Sequence, residues 1–161
     1  MSVSPADLLA KNYKTAQALG QKEVQCDAYF EIEGYEELKF LAKTFPRPVL
    51  ASAGVIESYL PNGIKTGQPQ QLLTLQSHEV SFYVTKGGAV EKALNALNNS
   101  GGIFQATVHL GQVDNPYASY PLQDCFIAEI SPLDQDTEGV GQHVMMSGTL
   151  YYHYFGERQE S

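Results

Sequence analysis

The sequence is poor in the residues on which most site chemistry depends. Two cysteines in 161 residues, Cys26 and Cys125, are too few for a secreted disulfide framework or a zinc site. They fit assembly in a reducing cytoplasm, with a single bridge between strands left open. The ten Lys and Arg are scattered and form no basic run, so a chain of net charge −8 is not expected to grip nucleic acid. The same acidity fits plain solubility, or a wall of like sign past which DNA slides without sticking. No segment approaches the roughly 20 apolar residues of a membrane span, and "MSVSPADLLAKNYK" lacks the apolar centre of a signal peptide. The expectation is a chain neither exported by that route nor embedded in a membrane.

Catalytic patterns are also missing. There is no G-x-S-x-G, no spaced-glycine phosphate cradle and no H-E-x-x-H. His78, His109, His143 and His153 fall on separate predicted strands without paired spacing. In "LDQDTEG" Asp134, Asp136 and Glu138 alternate, but the central Gly and terminal Glu of a calcium loop are absent, which predicts a solvated acidic turn. The sequence thus names no reaction, cofactor or metal.

What is present is a core. Hydrophobic residues make up 43% of the chain, with ten Tyr and seven Phe, enough for one domain over residues 1–161. Residues 1–20 read as a helical segment. Ser4 can cap it, Pro5 sits in its first turn, Asp7 suits its positive end and Gly20 stops it, giving a helix over Pro5–Leu19 with a thin stripe of Leu9, Tyr13, Ala16 and Leu19.

Alternation then predicts a strand in "VQCDAYFEIEG", with Cys26, Ala28, Phe30 and Ile32 inward and Tyr29 outward, and "ELKFLAKTF" returning beside it. A longer strand follows in "LLTLQSHEVSFYVTK", with Val80, Phe82 and Val84 inward. In "GGAVEKALNALNNSGG", Val90, Ala93, Leu94 and Leu97 share one helical face. Three more strands come from "GIFQATVHLG", "YPLQDCFIAEISPL" and "VMMSGTLYYHYFG", with Pro116, Pro121 and Pro132 marking the breaks. The last of them has two bulky faces, so it asks for a core on one side and a second contact on the other. Strands, a helix, then strands without βαβ alternation predict a mainly β (α+β) fold: an antiparallel barrel or sandwich with a flanking helix.

Residues 45–71 do not fit a compact barrel. They combine four prolines and three glycines with Val55, Ile56, Tyr59, Leu60 and Ile64. The "PNG" turn at Pro61–Gly63 predicts a projecting hairpin arm, and an exposed apolar hairpin needs a partner to cover it.

Taken together, the arm, "HEVSFYVTKGG", "AVEKALNAL", "YPLQDCFIAEISPLDQDTEG" and the closing "LYYHYFG" resemble the tail tube proteins of contractile-tailed bacteriophages. That family shares its tube-like fold with baseplate tube-extension proteins and contractile injection tubes. The resemblance covers about Gln71–Gly156. It implies a structural virion protein whose hexameric rings stack into a tail tube for DNA ejection, assembled in the host cytoplasm with sheath and baseplate proteins and without a cofactor. The five arm residues would then make the inter-ring contacts. The N-terminal helix is not something the resemblance requires, and suits a baseplate or tail-end relative equally. Two alternatives stay open: a small-ligand-binding barrel or enzyme with a pocket from Tyr83, His109, Tyr151 or His153, and an adaptor that uses the arm on one other partner.

Overall fold

Alternating apolar residues make strands the main regular structure, and the computed structural model describes residues 5–160. In chain order the elements are helix α1 (Ala6–Ala18), strands β1 (Ala28–Ile32), β2 (Ala42–Thr44), β3 (Val55–Leu60), β4 (Ile64–Pro69) and β5 (Leu75–Tyr83), then helix α2 (Ala89–Asn99). Strands β6 (Phe104–Gln112), β7 (Asn115–Ala128), β8 (Met145–His153) and β9 (Gln159–Glu160) complete it. Seven strands form one antiparallel sheet in the order β1-β6-β7-β8-β5-β2, with β9 added to β7. Strands β1 and β2 are its two ends, so the barrel-like sheet does not close.

The 14-residue β7 is the hinge of this sheet. Its first part pairs with β6, while Gln123 and Phe126–Ala128 pair with β8. Between them lies a bulge with Asp124 at φ 46°, an arrangement by which one strand passes from one sheet layer to the next. Both layers and α2 then feed one apolar cluster. It includes Phe30, Ile32, Val80, Phe82, Val108, Leu122 and Leu150, together with Val90, Ala93, Leu94 and Leu97 of α2. Each of these buried Val, Leu, Ile and Phe side chains contributes about 1.5–3 kcal/mol.

Helix α2 and the long strands lie where alternation places them, and β8 turns Met146, Leu150 and Tyr152 inward. Four details differ. Pro116 and Pro121 lie inside β7 rather than in breaks. On the side of β7 away from β6, β9 reaches only Ala118 and Ser119 and β8 begins at Gln123, so the missing N–H of Pro121 leaves no ladder bond unmade. Tyr29 is buried, not outward: its ring stacks on His109 at 4.7 Å and its hydroxyl donates to the Val113 carbonyl at 2.9 Å. Cys26 is exposed, because the chain turns at Val24–Asp27 and β1 starts only at Ala28. The segment after β1 forms a 3-10 turn over Glu36–Phe40 that inserts Leu38, and the strand that follows pairs with β5, not β1.

Helix α1 spans nearly the expected residues but has none buried. Pro5 is its N-cap and Gly20, at φ 96°, follows its end. The expected Ser4 cap lies outside the described residues.

Candidate assembly surface

Strands β3 and β4 form a separate two-stranded sheet, joined by Pro61–Gly63 with Asn62 at φ 69° and Gly63 at φ 77°. Below the hairpin the two chains stay paired: Ala53 N–H donates to Gln71, Gln70 to Gly54 and Leu73 to Ala51. The paired stalk from Ala51 to Leu60 is on the order of 30 Å long at strand rise. Every side chain of β3 is exposed.

The register sorts the five arm residues expected from the sequence onto two faces. Ile56, Leu60 and Ile64 share one face with Ser58 and Thr66, whose hydroxyls meet at 2.7 Å. Val55 and Tyr59 share the other with Glu57 and Lys65, paired at 2.9 Å. On each face one pair of polar side chains is bonded across the strands, while the apolar side chains are exposed. A surface with satisfied polar atoms and exposed apolar ones loses little on being covered and gains the apolar transfer.

At the root of the arm three segments run side by side. Gln76 donates to the Val49 carbonyl at 2.9 Å, Leu73 N–H to Ala51 at 2.8 Å, and Tyr154 N–H to Thr74 at 2.9 Å. They present Leu50, Leu72, Leu73, Leu75 and Phe155, all exposed. The apolar surface thus continues from the arm onto the body.

Arg47, inside the 45–71 segment but ahead of the paired stalk that starts at Ala51, is a residue that sequence reasoning missed. Its guanidinium donates to Glu23 and, at 2.9 Å, to the Tyr120 hydroxyl, to which Arg158 also donates at 3.2 Å. Tyr117 donates to Glu23 at 3.2 Å. The Arg47 hydrogen bond holds the Glu23 carboxyl below the usual carboxylate range. The cluster ties the segment after α1, the arm root and the C-terminal segment to β7. Only spatial convergence reveals it, since each charge stands alone in sequence. Beside it a cavity of about 620 Å³, lined by Val24, Cys26, Phe45, Val108, Leu110 and Tyr117 among others, lies between the chain entering β1 and the chain leaving β2.

The histidines do not converge. His78 Nδ1 lies 2.7 Å from its neighbour's carbonyl, His143 meets Tyr83 edge-on at 5.6 Å, and His153 Nδ1 lies 3.2 Å from the Gln123 carbonyl. His109 packs between Tyr29 and Ser119, with Glu31 at 3.8 Å. Burial holds its pKa below the ordinary histidine value, against the pull of Glu31. The pocket considered from Tyr83, His109, Tyr151 and His153 is not assembled: Tyr83 pairs with Met145 and Leu75 with His153, at opposite ends of β8. Among the described residues no group of three or more His, Cys, Asp or Glu could hold a metal ion.

No protein-family model and no curated protein sequence matches the chain. Solved structures do. A chain of the sheath–tube complex of an extracellular contractile injection system, PVC, in the extended state matches with TM-score 0.57 and 14% identity, over 91% of this chain and 97% of that one. The tube-terminating cap of the anti-feeding prophage matches with TM-score 0.57 and 13% identity, over 88% and 93%. The PVC sheath/tube terminator matches with TM-score 0.55 and 14% identity, over 88% and 99%. The chain thus shares its fold with chains of contractile injection systems.

Proposed function

We propose that the protein is a structural subunit of a contractile tail or injection machine, whose copies form hexameric rings that stack into a tube, with the β3–β4 arm bridging neighbouring subunits. The observation that carries this reading is the arm itself: a paired stalk, with exposed apolar side chains on both faces, standing on a fold shared over most of its length with injection-system chains. Two bare faces suit insertion between two surfaces better than one-sided docking. The net charge of −8 suits a conduit past which DNA moves without adhering. Sheath and baseplate proteins are the further partners, and the assembled tail is the site of action.

A second reading, a cap, terminator or baseplate ring of the same fold, is favoured by the equal TM-scores of 0.57 to the sheath–tube chain and to the tube-terminating cap. Negative-stain electron microscopy across a concentration series, with size-exclusion chromatography, separates the two. Tubes of indefinite length are expected of the repeated subunit and single rings of a terminal one. Compact monomers at every concentration would refute self-assembly.

A further inference from the structure

We propose that Arg47 is the latch of a joint between the arm and the body: its guanidinium fixes the angle at which the β3–β4 arm stands, and its release lets the arm swing. The latch is a property of the monomer, and its consequence for assembly rests on the proposed function.

Arm and body are one hairpin. The pairs Ala42↔Phe82, Ser52↔Leu72, Val55↔Pro69 and Leu60↔Ile64 keep a single register, and the shift at Thr44↔Ser81 is undone before Ser52. The β4–β5 side of this hairpin is tied to the body by β8 as far as Thr74, whose carbonyl accepts from the Tyr154 N–H. The other side has no such tie. Thr44 pairs with Ser81 and the Ala51 carbonyl accepts from Leu73, but between them no backbone hydrogen bond joins residues 45–50 to β5 among the described residues. Two of those residues, Pro46 and Pro48, have no N–H to give. A continuous ladder would set the direction of the arm through the backbone. Here side chains must set it.

Arg47 lies between the two prolines, which are buried while it is exposed. Its guanidinium donates to Glu23 and to the Tyr120 hydroxyl, and lies 5.2 Å from the centre of the Tyr120 ring. Glu23 in turn accepts from Tyr117 at 3.2 Å, so Arg47 connects the arm strand to two residues of β7. Among the described residues, the other hydrogen bond to 45–50 is that of the Gln76 side chain to the Val49 carbonyl, and only Arg47 reaches β7. The Arg47 and Glu23 side chains are 39% and 45% exposed, within reach of salt and of a neighbour's charges, which suits a latch better than a permanent lock. The angle matters because the arm is long. A swing of about 10° at the root moves the tip by about 5 Å over a stalk on the order of 30 Å. Apolar side chains touch only within about 4 Å.

The test is double electron–electron resonance on the dilute full chain, with nitroxides at Lys65→Cys on the arm and Asn95→Cys on α2, in a Cys26→Ser background. Lys65 and Asn95 are exposed, and Cys125 is buried and stays unlabelled. With Arg47 intact the distance distribution should be single and narrow. Arg47→Ala should at least double its width, and Glu23→Ala/Tyr120→Phe should do the same by removing the partners. Arg47→Lys keeps the charge without the fork and should fall between. Arg158→Ala loses a bond to Tyr120 from outside the arm and should leave the width unchanged. In unlabelled chains Arg47→Ala should need at least tenfold more protein to assemble. A narrow distribution in Arg47→Ala or in Glu23→Ala/Tyr120→Phe, or an equally broad one with Arg47 intact, would overturn the latch. Broadening in Arg158→Ala as large as in Arg47→Ala would assign the effect to the stability of the whole cluster and overturn it too. Broadening with an unchanged assembly threshold would overturn the part played by the arm's angle in assembly. Chains that stay monomeric at every concentration would overturn the proposed function, and the distances would still decide the latch.

Discussion

Replacing Ile56 and Leu60 with Asp tests the arm most directly. Both sit on one face of β3, 47% and 51% exposed, so roughly half of each side chain is left to cover on assembly. Full burial of such a residue is worth about 1.5–3 kcal/mol, so covering the remaining half contributes about 1 kcal/mol each and about 2 kcal/mol for the pair. Ser at both positions forfeits that much, a weakening of about thirtyfold per contact. Asp at both adds the cost of burying unpaired charge. Even about 2 kcal/mol of that cost brings the loss to about 4 kcal/mol, or about a thousandfold. The fold should not notice, since neither residue belongs to the core cluster and surface changes stay within about 0.5 kcal/mol. Sedimentation and negative-stain images across a concentration series read the assembly, and a thermal melt reads the monomer. The Ser variant should fall between wild type and the Asp variant. Rings or tubes from the Asp variant at the wild-type threshold would refute the assignment of this face to an interface.

Because burial holds His109 below its ordinary value near 6.5, the unfolded chain takes up the proton first as pH falls. Stability from this site is therefore full above about pH 6.5 and declines below it. The denaturant midpoint should drop between about pH 8 and about pH 5.5 by less in His109→Gln, and an identical drop would sink the argument. Burial pushes the Cys125 thiol up to about 12, whereas Cys26 is exposed. A maleimide at neutral pH should add once to the native protein and twice after denaturation; two native adducts would contradict the buried position of Cys125. Copies carrying −8 each repel at low salt, where the Debye length is about 30 Å at 0.01 M against about 10 Å at 0.1 M. Apolar assembly should strengthen across that range, and tubes that dissolve instead would mean that ion pairs hold them.

Much of this fold could be read where one physical pattern dominated. The stripe Val90, Ala93, Leu94 and Leu97 has a single period and a single destination, and it packs as expected. The alternation of Ala106, Val108 and Leu110 behaves the same way. The misreadings fall where local pattern and tertiary pairing diverge. Tyr29 alternates outward, yet stacking on His109 and a bond to Val113 bury it. "ELKFLAKTF" offers a strand-length apolar run, but β6 takes the neighbour position beside β1 and leaves that run to turn. Pro121 breaks strands in general, but whether a missing N–H matters depends on which partner lies alongside it. The arm was legible as surplus: Val55, Ile56, Tyr59, Leu60 and Ile64 had no place in a barrel, and a turn signal stood between them. The two-face division of those residues, and the Glu23–Arg47–Tyr120 cluster, require register and space.

The closing strand refines the argument from surplus. Its second face was expected to need a neighbouring subunit, but Tyr151 stacks on Phe126 of β7 at 5.1 Å, so part of that face is covered within the chain. What remains bare is Phe155, beyond the strand's end, where the chain meets Leu50 at the arm root. The uncovered surface of this protein is thus concentrated on the arm, its root and α1, while the sheet largely satisfies itself. A monomer built that way can fold alone on its own core and still carry, on elements that contribute little to that core, the apolar area that association requires. Under the proposed function, folding and assembly are then separable: substitutions on the arm are expected to change the second without the first, and substitutions at Phe30 or Leu94 to change both.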